Sequence, residues 1–177
     1  KEMIKYGFIL GFICLAASSV LSAVNSITEP KIKVTQDKQE QEALKEVMAQ
    51  ASVFKPHLQG EEIGYYSAYD ASNKLIGFVL KAKGKGYSSD IQVLAALSLN
   101  LQITRVKILS QNETPGLGSR VTEPSFLEQF RDRAPDNIKE VNAITGATIS
   151  SKAVISSLDS AVSQLKEQLL TQIRNAR

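Results

Sequence analysis

Apolar residues are concentrated at the start of the chain. Residues 6–27, a run of 22, carry no charged side chain. As an α-helix this run would be about 33 Å long, at roughly 1.5 Å per residue, which matches a hydrocarbon core of roughly 30 Å. The pattern therefore predicts one transmembrane helix, and the serines of its second half suit contact with helices of a partner. A cleaved signal peptide ending near Leu21-Ser22-Ala23 is the alternative.

The segment after the apolar run predicts a change of element. Pro30 is expected to end the first helix. Residues 36–50 are strong helix formers with apolar side chains on one side, so they predict a short surface helix. We therefore expect a transmembrane anchor of residues 1–28, a linker and helix of residues 29–60, and a folded domain of residues 61–177.

The middle of the chain has the pattern of β-hairpins. Residues 63–69 and 74–81 flank a turn-rich stretch and predict one hairpin. Residues 91–99 and 102–109 flank Asn100 and predict a second. The glycine- and serine-rich link between the two hairpins, residues 84–90, is expected to be a flexible loop.

The end of the chain predicts a long amphipathic helix. From Ser150 onward, apolar residues recur every three or four positions and form one stripe, namely Val154, Leu158, Ala161, Leu165, Leu169 and Ile173. The stripe is expected to pack on one face of the sheet, and a shorter helix is expected at residues 123–131. Strands followed by helices predict an α+β domain with an antiparallel sheet.

Composition narrows the function. Hydrophobic residues make up 43% of the chain, enough for a folded core. A net charge of only +3 and the absence of tryptophan argue against a nucleic-acid-binding function. The single cysteine, Cys14, and the single histidine, His57, form no ligand cluster for a metal. His57 is predicted to be a surface residue without a partner, and any redox chemistry would need an organic cofactor or the metal of a partner.

The first candidate for chemistry is Thr145-Gly146-Ala147-Thr148, directly before the long helix. A helix N-terminus offers unpaired N–H groups and a partial positive charge, so it suits a phosphate. Gly146 allows a tight turn, and Thr148 adds a hydroxyl. The alternative is an ordinary helix cap.

Two loops are further candidates. In Glu113–Gly118 (ETPGLG), Pro115 and Gly116 fit the centre of a type II turn, and Gly118 permits further unusual dihedral angles. The alternative is an exposed loop with a solvated glutamate. The glycines of residues 84–90 resemble a phosphate cradle only weakly, and a plain hairpin link is the alternative there.

Together and in this order, behind one membrane helix, these segments resemble the FMN-binding domain of the G subunit of the Rnf electron-transport complex. The C subunit of the sodium-pumping NADH:quinone reductase shares that domain. Besides the anchor, the resemblance covers residues 64–109, 113–118, 126–130 and 141–151.

The resemblance implies that Thr148 carries FMN through a phosphoester bond made by a flavin transferase. Thr145, Gly146 and Ala147 complete the attachment motif, and Asn142 stands where the family has aspartate, keeping an acceptor oxygen without the charge. The flavin ring is then expected against the ETPGLG loop, at Glu113, Thr114, Gly116, Leu117 and Gly118.

The resemblance also implies a function. The chain would relay electrons through covalent FMN in a membrane-bound ferredoxin:NAD oxidoreductase that transports Na⁺ or H⁺, without turning over a substrate alone and without a metal site. Its partners would be the other membrane subunits, and its C-terminal domain would be extracytoplasmic. The alternatives are a component like the C subunit of the NADH:quinone reductase, a stand-alone membrane-anchored flavoprotein, and a non-redox binding domain whose TGAT only caps a helix.

Overall fold

The computed structural model describes residues 2–60 and 62–175. The chain divides into two units, Lys1–Glu40 and Gln41–Arg177. The division into anchor, linker and folded domain at residues 28 and 60 stays a prediction.

The first element, α1, is one helix that spans Glu2–Val47. The prediction that Pro30 ends it is wrong, and residues 36–47 continue it rather than forming a separate helix. A proline inside a helix costs one backbone hydrogen bond and about 3 kcal/mol, and the helix formers that follow keep the helix continuous. Within the described residues, α1 is the one helix apolar and long enough to cross a membrane, with a mean hydropathy of 2.2 in its most apolar window.

Five antiparallel strands follow and form one sheet in the order β1-β2-β3-β4-β5. Their bounds are Val53–Gln59, Glu62–Tyr69, Leu75–Lys85, Asp90–Ser98 and Ile103–Ser110. The two predicted hairpins are confirmed as β2–β3 and β4–β5.

Two features of the sheet differ from the prediction. First, the sequence did not indicate β1, which is a mostly exposed strand at the edge of the sheet. This strand contains Pro56, and proline is confined to edge strands because it lacks a backbone N–H. The link at residues 84–90 is a hairpin turn rather than a flexible loop, because Lys85 pairs with Asp90 and the Gly86 N–H donates to the Ser89 carbonyl at 2.8 Å.

The helical part begins after β5. A 3₁₀ turn at Gly118–Thr122 leads into α2, Pro124–Leu127, and the predicted helix at residues 123–131 continues only as a 3₁₀ turn at Glu128–Phe130. A further 3₁₀ turn, Pro135–Glu140, precedes the long helix α3, Thr148–Asn175.

The main core lies between the sheet and α3. The apolar stripe of α3 packs against a core that contains Phe78 and Leu80; Leu158 is fully inaccessible, and Ala161 and Ile173 are partly buried. Gly84 lets α3 approach β3 closely, since a Cβ there would lie 2.4 Å from the Ala153 carbonyl oxygen. The predicted α+β class and the packing of α3 on one face are confirmed.

The other face of the sheet is covered by the end of α1. Ala43, Leu44 and Val47 are buried there against β2, β3 and β4. The apolar side predicted for residues 36–50 therefore belongs to the core of the domain.

His57 is not a free surface residue, contrary to the prediction. It lies in β1, stacks on the ring of Tyr65 at a centroid distance of 4.5 Å, and its Nε2 lies 2.9 Å from the Ser67 hydroxyl. Partial burial lowers the pKa of the imidazole from its ordinary value.

Candidate functional site

The segment before α3 forms a tight turn. The Ala147 N–H donates to the Ile144 carbonyl at 2.9 Å, and Gly146 has a φ of 83°, a value that favours glycine and fits the third position of a type II turn. The buried hydroxyl of Ser151 holds the turn to the helix, because it accepts the Ile144 N–H at 3.1 Å and donates to the Ala147 carbonyl at 2.9 Å.

Thr148 is the first residue of α3 rather than its cap. The Ala147 carbonyl accepts the Ser151 N–H at 2.9 Å, the bond that defines Ala147 as the capping position. Since alanine has no side chain that can cap a helix, the interpretation of TGAT as an ordinary cap is wrong.

The polar groups at this helix start make no hydrogen bonds to the described part of the chain. The exposed hydroxyl of Thr148 makes no hydrogen bond within residues 2–60 and 62–175. The same holds for the N–H groups of Thr148, Ile149 and Ser150. Three unpaired N–H groups and the helix dipole favour an anionic group next to the Thr148 hydroxyl.

The ETPGLG loop contains the predicted type II turn. The Leu117 N–H donates to the Thr114 carbonyl at 3.1 Å, and Gly116 has a φ of 75°. Gly118 does not adopt a left-handed φ. Glycine is required there for space, because a Cβ at Gly118 would lie 2.6 Å from Glu113 Oε2.

Glu113 is buried, with 5% of its surface exposed, so the alternative of a solvated glutamate is wrong. Its Oε1 accepts the backbone N–H groups of Ser88 at 3.0 Å and Ser89 at 2.9 Å. Its Oε2 accepts the Tyr87 N–H at 3.0 Å and the Ser150 hydroxyl at 2.5 Å. The carboxylate thus joins the β3–β4 turn to the first turn of α3.

Burial alone would raise the pKa of Glu113, but the Ser150 hydroxyl and the three backbone N–H groups outweigh it and lower the pKa from 4.5 to about 2. The side chain is therefore ionised at neutral pH. The glycine-rich turn that resembles a phosphate cradle does hold an anion, and that anion is the carboxylate of its own chain.

These segments surround a cavity of about 370 Å³. Of the predicted site residues, all but Thr145 and Gly116 line it. The sequence reasoning missed three lining residues, Tyr87, Ile149 and Ser150. Tyr87 could have been found as an aromatic residue in a polar turn, and Ile149 as an apolar residue outside the stripe of α3.

The lining fits a planar ligand with an anionic end. The cavity volume falls within the roughly 300–1,000 Å³ of small-molecule sites. Tyr87, Leu117 and Ile149 are exposed by 73%, 53% and 55%, and such exposed apolar side chains suit contact with a ring. A phosphate would meet the unpaired N–H groups at the start of α3.

The polar residues around the motif differ in their contacts. Arg120 pairs with Glu123 at 3.0 Å and donates to the Thr145 carbonyl at 3.4 Å. Asn142 is exposed, and its backbone N–H donates to the Gln129 side chain at 3.0 Å. Lys152 is exposed.

Comparison with known families agrees with the fold and the cavity. The FMN-binding domain family matches residues 86–163, which include every residue lining the cavity. The RnfG N-terminal region matches residues 1–47, the helix α1 together with residue 1. The protein thus belongs to the class in which an N-terminal apolar helix is followed along the chain by an FMN-binding domain. This arrangement fits a single-pass membrane protein.

Relatives match along nearly the whole chain. The G subunit of the ion-translocating oxidoreductase complex of Methanosarcina acetivorans is 34% identical, covering 95% of this chain and 97% of its own. The G subunit of the proton-translocating ferredoxin:NAD(+) oxidoreductase complex of Clostridium ljungdahlii is 33% identical, covering 88% of each. This chain belongs to the family formed by the G subunits of ion-translocating oxidoreductase complexes.

Among solved structures, the NqrC protein of Shewanella oneidensis has the same fold. The TM-score is 0.53 at 21% identity, over 73% of this chain and 74% of NqrC. At this identity the likeness concerns the fold alone.

Proposed function

We propose that this chain is the electron-carrying G subunit of a membrane-bound, ion-translocating ferredoxin:NAD oxidoreductase, with FMN attached to Thr148 through a phosphoester. The observation that carries the proposal lies in the wall of the cavity, where the Thr148 hydroxyl and three nearby N–H groups have no partner among the described residues. Family membership, shown by matches over 95% and 88% of the chain, supports the assignment to this complex.

Attachment would form a bond between the Thr148 oxygen and the phosphorus of an activated flavin phosphate. The hydroxyl proton and the leaving group of the phosphate would depart in this step, which is assigned to a flavin transferase. The resulting phosphodiester keeps one negative charge, which the start of α3 favours. Bound FMN supplies one- and two-electron exchange.

The chain's own residues hold and orient the cofactor. Leu117, Tyr87 and Ile149 offer apolar contacts to a ring, and Thr114 and the backbone at Gly118 offer polar groups on the same wall. Electrons would enter and leave the chain through the flavin.

The remaining assignments follow from this proposal. The other membrane subunits of the complex are the partners of this chain, and the C-terminal domain lies on the extracytoplasmic side. The quinone reductase alternative is less well supported, since the match to NqrC is below 25% identity. A stand-alone flavoprotein has no specific observation in its favour.

The proposal is tested in the assembled complex. Complexes containing the wild-type chain, Thr148→Val or Thr171→Val are compared for NAD reduction by reduced ferredoxin. Thr171 lies exposed on the same helix and serves as the matched control. We expect activity with the wild type and with Thr171→Val, and none with Thr148→Val. Full activity with Thr148→Val, or quinone reduction in place of ferredoxin-dependent activity, would contradict the proposal.

A further inference from the structure

Among the residues that the structure describes, the carboxylate of Glu113 has no counter-ion. All of its hydrogen-bond donors are neutral, namely three backbone N–H groups and two serine hydroxyls. Within residues 2–60 and 62–175, no lysine, arginine or histidine pairs with it. The donors stabilise the negative charge but do not cancel it.

The surroundings of this charge keep it from being screened. Glu113 is 5% exposed, and the chain comes close on two sides, since a Cβ at Gly86 or at Gly118 would lie 2.6 Å from a carboxylate oxygen. In such a poorly solvated setting a charge acts more strongly on its neighbours than it would in water. Glu113 also lines the cavity together with Thr148.

We propose that Glu113 lowers the reduction potential of the flavin held in this cavity, because its unpaired negative charge forms part of the cavity wall. The inference rests on the proposed function. Uptake of two electrons and one proton by the flavin leaves the reduced ring with one more negative charge than the oxidised ring. A fixed negative charge in the wall disfavours that added charge, so the flavin is reduced only by a stronger reductant.

The test is a potentiometric titration of the full-length, flavin-loaded chain in detergent at pH 7, followed by flavin absorbance. Wild type is compared with Glu113→Gln, which removes the charge and keeps nearly the same shape. Glu128→Gln is the matched control, because Glu128 is exposed and pairs with Arg131. We expect a more positive midpoint potential in Glu113→Gln and no shift in the control. An unchanged or more negative potential in Glu113→Gln would overturn the inference.

A second variant keeps the inference testable if Glu113→Gln fails to fold. Ser150→Ala retains the carboxylate and its three N–H donors but removes the hydroxyl that donates at 2.5 Å. The charge is then less offset, so we expect a more negative potential, opposite in sign to the shift in Glu113→Gln. General loosening of the cavity gives no reason for shifts of opposite sign. An unchanged or more positive potential in Ser150→Ala would overturn the inference.

Whether the wild-type chain carries flavin distinguishes failure of the proposed function from failure of this inference. If the wild-type chain carries no flavin on Thr148, the proposed function fails. If it carries flavin but its potential does not respond to the two variants, only the role of Glu113 is refuted.

Discussion

Replacing Glu113 by glutamine should destabilise the domain in a pH-dependent way. The carboxylate accepts five hydrogen bonds, three on Oε1 and two on Oε2. In Glu113→Gln one oxygen becomes an NH₂ group, which cannot accept, so at least one of the facing N–H groups loses its partner. Leaving a buried donor unsatisfied costs about 1–3 kcal/mol.

The pKa gives a second measure of the same effect. A fall from 4.5 to about 2 corresponds to about 3 kcal/mol in favour of the ionised form, at about 1.4 kcal/mol per pH unit. Since the folded-state pKa is depressed, this stabilisation is present above about pH 4.5, the value expected for the unfolded chain. It is lost as the pH falls from there towards 2.

The assay is denaturant unfolding of the full chain in detergent, followed by circular dichroism between pH 7 and pH 2.5. We expect Glu113→Gln to be about 2–3 kcal/mol less stable than wild type at pH 7, and the difference to shrink steadily below pH 4.5. Glu128→Gln, which loses an exposed ion pair, should stay within about 1 kcal/mol of wild type. A stability difference for Glu113→Gln that does not change between pH 7 and pH 2.5 would refute the reasoning.

Two further predictions concern packing and are read from the same unfolding curves. Gly118→Ala should lower the free energy of unfolding by about 1–3 kcal/mol, because its Cβ would lie 2.6 Å from Glu113 Oε2 and the buried carboxylate has no room to move. A stability equal to that of the wild type would show that the loop can shift to make room. Leu158→Ala should lower the free energy of unfolding by about 2–5 kcal/mol because it leaves a cavity in the core, and Leu170→Ala, at a site exposed by 38%, should lower it clearly less. Equal losses in the two leucine variants would contradict the packing of α3 described above.

Local turn signals and helical periodicity predicted most of the main elements. The turn-rich stretch before Lys74 and the turn at Asn100 predicted the two hairpins, and the apolar stripe through Leu158 predicted that α3 covers the sheet. The prediction that Pro30 ends α1 was wrong because the free energy lost with one backbone hydrogen bond is small compared with the summed helix propensity of a long segment. The strand β1 was missed because an exposed edge strand needs no apolar alternation and tolerates Pro56.

The site could be predicted in part. The motif at residues 145–148 and the type II turn at Pro115-Gly116 follow from local sequence. The burial of Glu113 does not, because its donors lie about 25 residues before it and 37 residues after it in the chain. Only the paired strands β3 and β4 and the packing of α3 bring these donors to one carboxylate.

The central claim, flavin on Thr148, is tested most directly by mass spectrometry of the full chain produced together with a flavin transferase. We predict that the intact mass rises by one FMN less one water, and that fragmentation of the peptide containing residues 145–148 locates the added mass on Thr148. An unmodified chain, or flavin located on Thr145, would contradict the claim.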